Sequence, residues 1–283
     1  MVACATQHPA VRLADMRSGS TAQSLAGHGG AAVLSVSWSP KDEYVLASGA
    51  SDGSLRIWDV RRSAGSIGVL DMEDSLGVMD THGEDHAIRN KQYGKAHIGP
   101  VNGLTWTGDG KYLVSAGHDE RIRVWDIAVG ANTLANFGAI VRNTDLAATY
   151  PLVAPQALTP PNEDVLVFPN GREILMFELY EGQLLKRMKA LNVAASSKPS
   201  NASGQRNVRN RVVDLAWRTH HVELLSAHTD GTIRSWRPHT STDAIVDETE
   251  KEDQETESDS RKRKRQTLND IYREITAPKL TFT

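Results

Sequence analysis

Residues 48–59 read Ser48-Gly49-Ala50-Ser51-Asp52-Gly53-Ser54-Leu55-Arg56-Ile57-Trp58-Asp59, and the same frame returns from Ser115 to Asp126 and from Ser226 to Trp236. In each copy an aspartate (Asp52, Asp119, Asp230) stands four residues after the serine and six before a tryptophan (Trp58, Trp125, Trp236). Polar and apolar residues alternate between them, the period of a strand. Working upstream, another tryptophan precedes each of these by 19 or 20 residues: Trp38, Trp106 and Trp217. The three pairs account for all six tryptophans of the 283-residue chain. Each earlier tryptophan ends its own apolar run, Val33-x-x-Val36-x-Trp38, Val101-x-x-Leu104-x-Trp106 and Val212-x-x-Leu215-x-Trp217. Turn residues and a further apolar run then lead to the serine. Each unit is therefore three or four short antiparallel strands joined by hairpins.

Such a sheet cannot bury both faces alone. Stacking the sheets around an axis covers the faces and leaves no long free edge. The expected fold class is all-β, a β-propeller. Gly27-His28 … Trp58-Asp59 and Ala96-His97 … Trp125-Asp126 resemble the WD repeat, named for its Trp-Asp ending. The resemblance implies buried hydrogen-bonded networks: His28, Ser48, Asp52 and Trp58 in one blade, and His97, Ser115, Asp119 and Trp125 in the next. The third copy keeps Ser226, Asp230 and Trp236, but Arg206, Asn207 and Val208 stand where its histidine belongs, so an incomplete network is expected there. These His/Ser/Asp sets recur once per unit, as an architectural device does, whereas a nucleophile site occurs once. The reading is non-catalytic, with no cofactor.

Two weaker units complete the count. Residues 140–191 contain strands at Asp164–Phe168, Glu173–Tyr180 and Gln183–Leu191, with a turn at Pro169-Asn170-Gly171, where Asn-Gly is a hairpin signal. Residues 1–26 read as a blade entered at its second strand. The blade pieces are thus about 1–26, 27–70, 96–138, 140–191 and 208–239, a partial propeller over 1–239. That makes about 4.5 of an expected seven or so blades, so N-terminal blades are expected to be missing. Residues 71–95 and 192–207 are loop insertions. The first holds Asp71, Asp74, Asp80, His82, Glu84, Asp85 and His86, suitable metal ligands in no recognisable order, and is read as a polar loop without metal.

Residues 240–283 are expected to be a disordered charged tail. Eight of the thirteen residues 247–259 are acidic, and Arg261-Lys262-Arg263-Lys264-Arg265 follows, a candidate nuclear import signal. Residues 241–283 hold 11 acidic and 8 basic residues, and the rest of the chain holds 24 of each. A body without net positive charge lacks the bulk footprint of a duplex-DNA binder, although a local basic face stays open. The single cysteine, Cys4, excludes an internal disulfide framework and fits a reducing compartment. No apolar run approaches the ~18 residues of a membrane helix.

Trp58-Asp59-Val60-Arg61 is a WD-x-Arg box, and Ala14-Asp15-Met16-Arg17 is a degenerate copy. Longer stretches extend the likeness: Leu25-Ala26-Gly27-His28 through Arg62, Val101-Asn102-Gly103-Leu104, Arg121-Ile122-Arg123-Val124-Trp125, and Asn132-Thr133-Leu134 with Asn136-Phe137-Gly138. Over about residues 2–238 the chain resembles the Cockayne syndrome group A family. That resemblance implies a substrate receptor of a cullin-4-type RING ubiquitin ligase, acting in transcription-coupled nucleotide-excision repair where RNA polymerase stalls. It implies binding to the large damaged-DNA-binding adaptor, with Trp58, Asp59, Arg61, Asp15 and Arg17 as contact candidates. The alternative is another nuclear WD-repeat scaffold of a chromatin or RNA-processing complex.

Overall fold

Five antiparallel sheets follow one another along the chain in a computed structural model that describes residues 1–6, 8–62, 65–72, 94–144, 147–159, 163–189, 211–218, 220 and 222–238. Blade A holds β1 (Val2–Cys4), β2 (Ala10–Asp15) and β3 (Ser20–Ala26). Blade B holds β4 (Val33–Trp38), β5 (Val45–Ala50), β6 (Leu55–Asp59) and β7 (Gly68–Leu70). Blade C holds β8 (Val101–Trp106), β9 (Tyr112–Gly117), β10 (Arg121–Asp126) and β11 (Ala131–Asn132). Blade D holds β12 (Leu152–Val153), β13 (Val165–Asn170), β14 (Glu173–Glu178) and β15 (Leu184–Lys189). Blade E holds β16 (Val212–Arg218), β17 (Glu223–His228) and β18 (Ile233–Trp236). Each strand pairs only with its sequence neighbours, as hairpin connections dictate.

The two-residue period explains how the blades stack. In β5, Leu46 faces blade A while Ala47 faces blade C; in β6, Trp58 faces A and Ile57 faces C. Blade C repeats the pattern, with Leu113 and Trp125 toward B and Val114 and Val124 toward D. Blade D turns Leu166 and Phe177 toward C, and Val167 and Ile174 toward E. Four apolar seams result, one between each pair of neighbours, and Met1–Trp236 form one compact unit. This is the all-β arrangement expected from the tryptophan pairs. No helix among the described residues is long and apolar enough to cross a membrane.

Blade D departs in detail from its expected strands. β13 runs through Asn170, which pairs with Glu173, so the turn is Gly171-Arg172 rather than Pro169-Asn170-Gly171. The reason is that the Asn170 amide holds the incoming segment: it accepts from Arg142 N–H at 2.7 Å and donates to the Ile140 carbonyl at 3.1 Å. β14 ends at Glu178, short of the expected Tyr180, and the far end of the expected third strand, at Leu191, lies outside the described residues. Most of the two insertions, the acidic stretch and the basic run Arg261 to Arg265 lie outside the described residues.

Candidate protein-binding site

The blade interiors set the site's foundations. In blade B the Trp58 indole N–H donates to Ser48 Oγ at 2.7 Å, and Ser48 meets His28 Nε2 at 2.7 Å. His28 Nδ1 meets Ser54 Oγ at 2.7 Å, and Ser54 donates to Asp52 at 2.7 Å. Since the Asp52 carboxylate takes the one Ser54 proton, Ser54 must accept from His28 Nδ1–H. A neutral His28 then accepts at Nε2 from Ser48, which in turn accepts the Trp58 indole proton. Asp52 reaches His28 through Ser54, a member that the expected set of His28, Ser48, Asp52 and Trp58 did not include. A Cβ on Gly27 would stand 2.7 Å from the Trp58 ring, so the residue before the histidine must be bare.

Blade C closes the same circuit without a relay. Trp125 donates to Ser115 at 2.9 Å, Ser115 meets His97 Nε2 at 2.7 Å, and His97 Nδ1 meets Asp119 at 2.9 Å. Arg123 adds a 2.7 Å ion pair to Asp119. Burial pushes the Asp119 carboxyl up, but His97 and Arg123 outweigh it and hold it below the ordinary range. In blade E, Trp236 donates to Ser226 at 2.8 Å, and the expected gap is filled: His228, two residues along the same strand, places Nε2 2.9 Å from Ser226. Asp230 accepts from Thr232 N–H and Oγ1 at 2.9 and 2.6 Å.

The WD-x-Arg box straddles the end of β6, with Trp58 and Asp59 in the strand and Val60 and Arg61 beyond it. Trp58 is 1% exposed, so this candidate contact residue supports the box from beneath rather than meeting a partner. Asp59 accepts three hydrogen bonds from Arg61: its backbone N–H at 3.0 Å, Nε at 2.9 Å and Nη2 at 2.8 Å. That bidentate grip lowers the Asp59 pKa to about 2. The guanidinium also stacks over Tyr44, 4.5 Å from the ring centroid. Even so, the Arg61 side chain is 58% exposed. The result is a cation fixed in one orientation, able to meet a partner with little further loss of side-chain entropy.

The copy in blade A is built differently. Asp15 accepts from Arg17 N–H at 3.0 Å and from Ser18 Oγ at 3.3 Å, so its carboxylate does not hold the Arg17 guanidinium. Tyr44, which the sequence reading missed, sits between two grooves. One, of about 450 Å³, is lined by Met1, Trp38, Glu43 and Val60; the other, of about 730 Å³, reaches Pro40, Trp106 and Ile127. A tyrosine in a polar turn gives no sequence signal of this role. Exposed aromatic and arginine groups beside grooves of mixed polar and apolar lining suit a protein partner. Among the described residues no three His, Cys, Asp or Glu side chains converge on a metal position, and Asp71 instead accepts Gly94 N–H at 2.7 Å.

Comparison with known proteins bears on this arrangement. Residues 19–59 and 90–126 match the WD domain, G-beta repeat family. A chain in the crystal structure of the mitotic checkpoint complex superposes with a TM-score of 0.54 at 22% identity, over 82% of this chain and 56% of that one. The chain thus carries WD repeats over residues 19–59 and 90–126. The chain is 28% identical to the WD repeat-containing protein ATCSA-1 of Arabidopsis thaliana, over 89% of its own length and 63% of the relative's. It is 33% identical to the anaphase-promoting complex subunit cdc20 of Dictyostelium discoideum over 34% of its length. The ribosome biogenesis protein ytm1 of Aspergillus oryzae matches over 44%, at 34% identity.

Proposed function

We propose that this protein is the substrate receptor of a cullin–RING ubiquitin ligase, working in the nucleus in transcription-coupled nucleotide-excision repair. One observation carries the reading: the similarity to ATCSA-1 covers 89% of the chain, where the cdc20 and ytm1 similarities cover 34% and 44%. The geometry at Arg61 supports it. A receptor of this kind catalyses nothing; it raises the concentration of a target's lysines near the charged ubiquitin carrier. Arg61, preset by Asp59 and Tyr44, and the less constrained Arg17 meet the large damaged-DNA-binding adaptor.

The test is capture of that adaptor from fractionated cells by the full chain and by the Arg17→Ala, Arg61→Ala double variant. The adaptor should be recovered from the nuclear fraction, and the double variant should recover about tenfold less. Equal recovery by the variant would sink the role of the arginines, and recovery from cytoplasm alone would sink the nuclear one.

A further inference from the structure

Arg61 follows the end of β6, whereas Arg121 opens β10, the corresponding strand of blade C; the two arginines therefore mark opposite ends of the blades. Beside Arg121 the chain leaving β11 continues along β10, with Thr133 N–H donating to the Val124 carbonyl at 2.8 Å. A groove of about 320 Å³ lies there, lined by Met72, Arg121, Ile122, Leu134 and Phe137 among others. Its floor is apolar and fixed: Ile122 and Phe137 are buried, and Phe137 meets Phe177 edge-on at 5.3 Å.

Two features of the lip are costly. Leu134 has φ 62°, a left-handed backbone that suits glycine or asparagine, and its side chain is 50% exposed. Asn132 holds it there by accepting the Leu134 N–H at 2.6 Å. An apolar side chain kept in water on a strained backbone, at the edge of a groove, is what a ligand clamp looks like. Arg121 is exposed, and its guanidinium has no ion pair or hydrogen bond among the described residues. Arg123, two residues on, is by contrast tied to Asp119.

We infer that this groove binds an extended peptide segment of a protein partner, one that sets a carboxylate side chain beside a bulky apolar one. The carboxylate takes the planar fork of Arg121, for which guanidinium geometry is matched. The apolar side chain enters the slot against Phe137 and Ile122, and Leu134 and the adaptable Met72 close over it. A bare phosphate would satisfy Arg121 and leave the slot empty, so the pairing of cation and apolar floor selects peptide. The site requires nothing of the ligase reading.

The probe is a fluorescein-labelled heptapeptide in which glutamate and leucine alternate, with a counterpart carrying lysine for glutamate, titrated by anisotropy against the full chain. The glutamate peptide should bind and the lysine peptide should not. Arg121→Ala should weaken binding by about tenfold, and Arg121→Lys, which keeps the charge without the fork, by less. Because Arg121 is exposed, both variants should melt as the unmodified protein does. Leu134→Gly removes strain and lip together, so it should bind more weakly while melting no lower. Equal binding of the two peptides, or an unchanged titration for Arg121→Ala, overturns the site.

Discussion

Ser226 occupies in blade E the place that Ser115 occupies in blade C, yet its imidazole comes from its own strand. The registers explain why that is possible. Val101 pairs with Gly117 and Val212 with His228, so His228 holds the position of Gly117. In blade C that position must be bare, because a Cβ on Gly117 would come 2.4 Å from His97 Nδ1. Where the upstream histidine is absent from the sequence frame, the same space admits an imidazole from the strand. Replacing His228 by Ala should therefore cost about 1–3 kcal/mol, since Ser226 loses a buried partner and a void opens. Urea denaturation of His228→Ala gives the answer, and an unchanged midpoint would show that the contact contributes nothing. His28 supplies a pH test at the same scale. Burial, then the Arg56 charge, hold it at about 4 against the pull of Asp52. An unfolded imidazole titrates near 6.5, so the unfolded chain takes up the proton first. Stability is then full above about pH 6.5 and is lost as pH falls toward 4, by something on the order of 2 kcal/mol. Urea midpoints at pH 7 and pH 4.5 should differ in that direction in the unmodified protein and less in His28→Gln; equal differences would exclude His28 as the source.

Among the elements, blades B, C and E were legible because each carries a tryptophan pair at fixed spacing, and period-two patterning does the rest. Blade D was legible as three strands joined by hairpin turns, but not as a copy of the repeat. Its registers show what replaced the missing signature: Phe177 pairs with Leu166 as Trp125 pairs with Leu113, and Phe168 stands where Ser115 stands. Both are fully buried, and Phe137 packs on Phe177. An apolar pair has thus replaced the indole and hydroxyl together, which leaves no unpaired polar group behind. Only a register shows that equivalence, because no phenylalanine spacing is specific enough to be read alone. The arginine boxes were legible as motifs, but their states were not. The Arg61 guanidinium that grips Asp59 also stacks on Tyr44, seventeen residues upstream in another hairpin turn, and the network role of Ser54 depends on a His28 brought in from before β4. Contacts of that kind are set by tertiary folding and leave no periodicity in the sequence.

At the scale of the whole propeller unit, the two arginine sites sit on different blades and at opposite blade ends, separated by the packed seam between B and C. That seam contains Trp106, Leu113 and Trp125, all buried, so neither end can shift without opening a close-packed face. A scaffold needs this property, since it must hold two partners at a fixed distance without one expelling the other. Coupling between sites requires an element with two arrangements that both ligands bias. The seam offers one arrangement, so the effects should add. Arg121→Ala should leave adaptor capture unchanged, and the Arg17→Ala, Arg61→Ala double variant should bind the glutamate peptide within about 0.5 kcal/mol of the unmodified protein. Anisotropy titrations of the peptide with and without saturating adaptor measure the same quantity directly. Superimposable curves mean a rigid two-ended platform. Displacement of the peptide by adaptor would mean that the two surfaces overlap or that the blades slide past one another, and the rigid seam would then be the wrong description.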